Sequence, residues 1–181
     1  MNKKHLVMAA LLAASGSAQW AHAQSVYGEI GYSPLSLGLS VPVIGLRATA
    51  EPVMLRGLVG FQLIDSFAIE AIGGLNARSS SVKNSGSSGI STTAKVNQLY
   101  GVYLTPKFGL GPVELFGRVG MARTKVTFQG LGSGEDKKLS YGFGLRLMPT
   151  DHLSLSADHM NYLDSGGASV KGYSLNLGLR F

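Results

Sequence analysis

The feature that most constrains this chain is an alternation of apolar and small or polar residues with a period of two. At the C-terminus Tyr173, Leu175, Leu177, Leu179 and Phe181 alternate with Ser174, Asn176, Gly178 and Arg180. Tyr141, Phe143, Leu145 and Leu147 alternate with Ser140, Gly142, Gly144 and Arg146, and Leu153, Leu155 and Ala157 with Ser154, Ser156 and Asp158. Phe67, Ile69, Ala71, Gly73 and Leu75 follow the pattern less cleanly, with Glu70, Gly74 and Asn76 on the other face. Successive strand side chains point to opposite faces, so each segment becomes a strand with one greasy face. No stretch after Gln24 sustains a helical period or is apolar for long enough to cross a membrane as a helix.

Two architectures use such strands. A soluble sandwich or lipocalin-like barrel buries the apolar face and shows water a face rich in Lys, Glu, Thr and Gln. Here the second face is Gly, Ser and Asn with isolated Arg or Glu, which suits a cramped polar interior, and the apolar face suits lipid. Strands are expected near 25–33, 53–63, 67–78, 97–109, 113–127, 139–148, 153–162 and 172–181. Three connections are tight: Ile64-Asp65-Ser66, Leu110-Gly111-Pro112 and Pro149-Thr150-Asp151-His152. The stretches 34–52, 79–96, 128–138 and 163–171 are long, and Ser79 to Ser91 is rich in Ser and Gly. An interdomain linker at 79–96 is disfavoured, because neither half alone closes a sheet. The fold expected is all-β: an eight-stranded, antiparallel, up-and-down transmembrane β-barrel with short periplasmic turns and long extracellular loops. Phe61, Phe67, Phe108 and Phe181 fall at the short-turn ends of strands and Tyr32, Tyr100 and Tyr162 at the opposite ends, where aromatic girdles belong.

The first 23 residues read differently. Lys3 and Lys4 form a positive n-region, Leu6 to Ala14 an apolar h-region, and Ala21-His22-Ala23 a small-residue cleavage site. The expected division is a cleaved signal peptide at 1–23 and a barrel domain at 24–181. Loss of Lys3 and Lys4 leaves 14 basic against 10 acidic residues. The chain has no cysteine, so an oxidising envelope compartment adds no disulfides.

With these features the chain resembles the small outer-membrane β-barrel proteins of Gram-negative bacteria, the OmpA-like, OmpX-like and opacity-type porin family. The most specific piece is the last strand, Gly172 to Phe181, and the segment Leu110 to Gly120 is similar to the turn and fifth strand of such barrels. The resemblance implies residence in the outer membrane. It also implies that Tyr173, Leu175, Leu177, Leu179 and Phe181 form the terminal signal read by the barrel assembly machinery. Larger OmpA-type proteins continue into a peptidoglycan-binding domain, whereas this sequence stops at Phe181, so a cell-wall tether is not expected.

Charge supplies the functional candidates. On the register above, Arg56, Glu70, Glu114, Arg118, Arg146 and Asp158 point inward. An eight-stranded barrel is just wide enough for side chains to fill it, and buried charges of both signs pair. The expected arrangement is an internal salt-bridge plug; the alternative is a narrow or gated ion path in which Arg118 exchanges partners among the carboxylates. Arg47, Arg78, Lys83, Lys95, Arg123, Lys125, Lys137, Lys138 and Lys171 lie in or beside the long loops, against Glu51, Glu135, Asp136 and Asp164. Such a basic rim meets lipopolysaccharide phosphates, where each charge is worth about 1 kcal/mol. The bland reading is a solvated loop surface with no dedicated partner.

Other classes fare worse. Export and the lack of a clustered basic and aromatic face argue against nucleic acid. Some eight-stranded barrels edit lipid A with a histidine and a serine, but His152 lies in a short turn and His159 alternates in face with Asp158. No metal-ligand spacing and no phosphate-cradling glycine loop is present, so no cofactor is expected. The function expected is non-catalytic: membrane integrity and contact with lipopolysaccharide, an extracellular ligand or a host surface through the loops. A narrow channel is the alternative, and a lipid A-modifying enzyme the third reading.

Overall fold

The structure is a computed structural model that describes residues 25–41, 46–81, 83–84, 93–128, 132–165 and 168–181, and the side chains of these outside 39–48, 81–96, 126–136 and 165–167. The expected signal peptide lies outside the described residues. The strands are β1 (Val26–Val41), β2 (Leu46–Ala50), β3 (Val53–Ile64), β4 (Phe67–Arg78), β5 (Ser80–Ser81), β6 (Lys83–Asn84), β7 (Thr93–Leu110), β8 (Val113–Phe128), β9 (Gly132–Leu147), β10 (Leu153–Ser165) and β11 (Ala168–Arg180).

Eight of these are the staves of a closed antiparallel barrel, in the order β1-β3-β4-β7-β8-β9-β10-β11 and back to β1. Pairing of Tyr27 with Arg180 through Leu39 with Ala168 joins the first stave to the last, leaving the wall no open edge. The stagger can be read from one row of register partners. It runs from Lys137 through Arg123, Tyr100, Gly73, Gly57, Ile30, Leu177 and Leu155 to Leu147. The row starts and ends on β9, ten residues apart, so the strands tilt and any such row climbs the wall.

Burial follows the two-residue period. On β4, Ala68, Glu70 and Ile72 are buried while Phe67, Ile69 and Leu75 are exposed; on β11, Ser174 and Asn176 are buried while Tyr173, Leu175, Leu177 and Leu179 are exposed. The outer wall is therefore apolar and the lumen filled. The turn between β7 and β8 uses Gly111 at φ 65°, a left-handed conformation that glycine adopts without a Cβ clash, followed by Pro112.

Two expectations need correction. The stretches 34–52, 128–138 and 163–171 are largely strand, since β1 runs to Val41, β8 to Phe128, β9 starts at Gly132, and β10 and β11 are separated by two residues. β2 continues β3 on the same partner, with Leu37 opposite Ala50 just as Pro34 lies opposite Val53. Above the apolar belt a strand keeps its ladder without needing a greasy face, so the alternation fades while the pairing persists. The second correction is Tyr162. It does not join the outer girdle but lies fully buried in the lumen. Tyr162 shares the inward parity of Asp158 and Met160, and a β10–β11 register shift between Asn161 and Leu163 breaks the alternation beside it, so that Met160 to Leu163 are all buried.

Candidate functional site

The lumen has two zones. Toward the short-turn end Arg56, Lys107, Arg118 and Arg146 interleave with Glu29, Glu70, Glu114 and Asp158, all of them buried. Arg56 makes a two-pronged contact with Asp158, with Nη1 2.9 Å from Oδ1, and donates to Tyr162 Oη at 3.1 Å and to Asn176 Oδ1 at 2.9 Å. Arg118 bridges two carboxylates: its Nε donates to Glu70, and its Nη1 lies 2.9 Å from Asp158 Oδ2. Arg146 bridges three, donating to Glu29 Oε1 at 2.8 Å, to Glu70 Oε1 at 3.3 Å and to Glu114. Lys107 closes the lower end, 3.4 Å from Glu114 Oε2 and 3.1 Å from Gln62 Oε1.

Neutral groups complete the network. Tyr27 Oη donates to Glu70, Ser156 Oγ donates to Glu29 Oε2 at 2.8 Å, and Asn176 Nδ2 donates to Ser156 Oγ at 2.9 Å. The ring of Phe116 lies beneath both the Arg118 and Arg146 guanidiniums, 4.3 and 5.0 Å from its centroid. Four cations and four carboxylates thus neutralise one another where Coulomb interactions are strong and an unpaired charge is expensive.

Toward the long-hairpin end the lumen is mainly apolar, with Ser33, Thr124, Ser140 and Ser174 buried among the apolar side chains. Leu35, Met54, Leu99, Met160 and Tyr162 are buried within one cluster that also includes Leu37, Ala50, Leu163 and Val170. Sequence reasoning missed this layer, together with Tyr27, Glu29 and Lys107 in the charged zone. The available signal for Glu29 was its parity with Gly31 and Ser33, opposite to Ile30 and Tyr32.

Of the rim residues, Arg78, Arg123, Lys125, Lys137 and Lys171 are exposed and Lys138 is half-buried, while the side chains of Arg47, Lys83 and Lys95 lie outside the described residues. Arg123 and Lys137 are register partners on the outer face, and Arg123 sits 6.0 Å from the Tyr100 ring centroid. Tyr173, Leu175, Leu177, Leu179 and Phe181 all face outward. His159 packs on the wall against Tyr173 and Phe143, with ring centroids 4.5 and 6.1 Å away, while Asp158 beside it points inward to the arginines. His152 in the short turn has Nδ1 3.3 Å from the Arg180 carbonyl. Among the described residues no group of His, Cys, Asp or Glu is arranged to hold a metal ion.

An apolar wall around a charge-paired lumen, with tight turns at one end and long hairpins at the other, defines a transmembrane β-barrel of the outer membrane. The chain belongs to the family described as outer membrane protein beta-barrel domain, whose sequence profile matches residues 6–181. Among solved structures it resembles Ail, the attachment invasion locus protein of Yersinia pestis, at 17% identity and a TM-score of 0.59, over 88% of this chain and 100% of that one. Neisserial surface protein A is similar at 14% identity and TM-score 0.56, over 86% of this chain and 95% of that one. The outer membrane protein OprG of Pseudomonas aeruginosa is similar at 12% identity and TM-score 0.57, over 88% and 96%. These likenesses establish the fold. No match was found among curated protein sequences.

Proposed function

We propose that the protein is a non-conducting, non-catalytic barrel of the outer membrane, exported by residues 1–23, that supports membrane integrity and presents a basic extracellular rim to anionic ligands. Those ligands are lipopolysaccharide phosphates on its own cell and acidic glycans beyond it. The single observation that carries this reading is the double filling of the lumen, a neutral ion network below and an apolar layer above. Ions would have to pass both, so function falls to the surface. Membership of the outer-membrane barrel family supports a surface role, and the Ail structure was solved with the heparin analogue sucrose octasulfate, a polyanion. Each basic side chain near such a surface contributes on the order of 1 kcal/mol.

Planar-bilayer conductance of the refolded mature protein, residues 24–181, tests the proposal. Insertion without discrete current steps is the expected result. Stepwise conductance would overturn it and make Arg118 and its carboxylates a permeation path.

A further inference from the structure

On the outer wall, β10 carries polar groups where its neighbours are apolar. Its outward residues above Leu155 are Ala157, His159 and Asn161, and all three are half-buried or buried. Their register partners are exposed on both sides: Leu145, Phe143 and Tyr141 on β9, and Leu175, Tyr173 and Lys171 on β11. β10 is thus the floor of a furrow between two ridges. On β9 exposed apolar side chains continue past Tyr141 to Leu139, so the furrow lies in the lipid-facing belt and reaches its upper edge.

Two buried atoms of this floor lack hydrogen-bond partners. Asn161 is only 6% exposed; its Nδ2 donates to Tyr141 Oη at 3.1 Å, but its Oδ1 accepts nothing, and His159 Nδ1 is unmatched as well. A polar atom left unpaired against hydrocarbon is costly, because no bulk water reaches it there. The need at Asn161 Oδ1 is chemically specific, since a carbonyl oxygen takes only a donor. The ester groups of a phospholipid bring nothing but acceptors to that depth. Beside Asn161, Lys171 is exposed and makes no ion pair among the described residues; Asp164, further up the hairpin, lies opposite Ser169 instead.

We infer that this furrow binds one acylated phosphoglycolipid of the lipid A type. A hydroxyl or amide N–H of its hydroxyacyl region donates to Asn161 Oδ1, a phosphate sits on Lys171, and an acyl chain runs down over Ala157 between Leu145 and Leu175. The order of groups along β10 and β11 matches that of the lipid: cation, hydrogen-bonding floor, apolar floor. His159, its ring 4.5 Å from that of Tyr173, supplies the second polar contact through Nδ1. Tyr141 and Lys171 flank Asn161 and are exposed, so rotation of these side chains opens the oxygen to the lipid side. The inference rests on the lipopolysaccharide contact proposed above and gives it one site on the wall, below the loops.

Native mass spectrometry of the refolded mature protein in detergent, titrated with diphosphoryl lipid A, reads the site directly. The comparison lipid is phosphatidic acid, which brings a phosphate and acyl chains but no donor below the phosphate. Wild type is expected to retain one lipid A and to release phosphatidic acid more readily. Asn161→Leu puts an apolar side chain against lipid, keeps the mobility shift of a folded barrel, and weakens lipid A retention about tenfold, the worth of one buried hydrogen bond. His159→Phe with Lys171→Gln keeps the ring packing and weakens retention as well. Undiminished retention by either variant, equal retention of phosphatidic acid, or no lipid A on wild type would each overturn the inference. A sulfated glycan titrated onto an Arg78→Gln and Lys125→Gln variant tests the rim separately, so failure of one reading leaves the other standing.

Discussion

Arg146 on β9 and Glu29 on β1 are separated by 117 residues in the chain and by 2.8 Å across the lumen. The contact ties one wall of the barrel to the other, and Arg146 extends it to Glu70 and Glu114. Replacing Arg146 with Gln leaves those carboxylates short of their donor in a buried site. We expect a loss of about 3–5 kcal/mol, measured as a lower urea midpoint for the refolded protein in vesicles. A stability loss below about 1 kcal/mol would mean that Lys107 or entering water takes over the exposed carboxylates.

Deleting both members of a pair should be milder than deleting one. Arg56 and Asp158 engage each other through two contacts and are both fully sequestered. Arg56→Met with Asp158→Leu removes the charge and fills the space, and is expected to lie closer to wild type than Asp158→Leu alone, which leaves Arg56 without a carboxylate. The same urea titration compares them, and a double variant no better than the single would show that the charges, not the packing, hold the walls.

The two zones of the lumen predict how it opens. Arg118→Ala removes the bridge between Glu70 and Asp158, yet Met54, Leu99 and Met160 still fill the layer above. That variant is expected to stay electrically silent in planar bilayers, whereas adding Leu99→Ser and Met160→Ser should admit current. Conductance from Arg118→Ala alone would show that the apolar layer is no barrier.

Most of the fold was legible because a lipid-facing wall forces strict alternation, and β4, β9, β10 and β11 carry it in their residues. The lumen charges on those strands follow from parity alone. Glu29 escaped because β1 places Tyr27 on one face and Tyr32 on the other, so neither face reads as purely greasy. Tyr162 was legible, since it shares the parity of Asp158 and Met160, and only its place near the strand end suggested the girdle; the burial of Leu163 beyond the bulge is what nothing in the local composition announces. The strand extensions were missed because outside the bilayer a ladder constrains backbone pairing and leaves side chains free.

Histidine chemistry can be tested on the wall. His159 is held between Phe143 and Tyr173 on the outer face, and its neighbour Asp158 is committed to Arg56 and Arg118 inside. No hydrogen-bonded acid supports the ring from that side. His159→Ala is expected to leave the mass spectrum of cellular lipid A unchanged, and any lost acyl or headgroup modification would restore the enzyme reading.

Phe181 separates recognition from stability. The residue is 66% exposed, so it packs little of the barrel, while its backbone N–H donates to the Val26 carbonyl at 2.8 Å and helps close the first stave on the last. Phe181→Ala keeps that hydrogen bond and removes only the ring. If the terminal strand is a signal for the assembly machinery, Phe181→Ala should refold in detergent with a near-wild-type urea midpoint yet accumulate poorly in the outer membrane of cells. Deletion of Phe181 should do both, losing accumulation and, through the missing backbone bond, about 1 kcal/mol of stability. Normal cellular accumulation of Phe181→Ala would remove the ring from the signal, and leave Tyr173, Leu175, Leu177 and Leu179 to carry it.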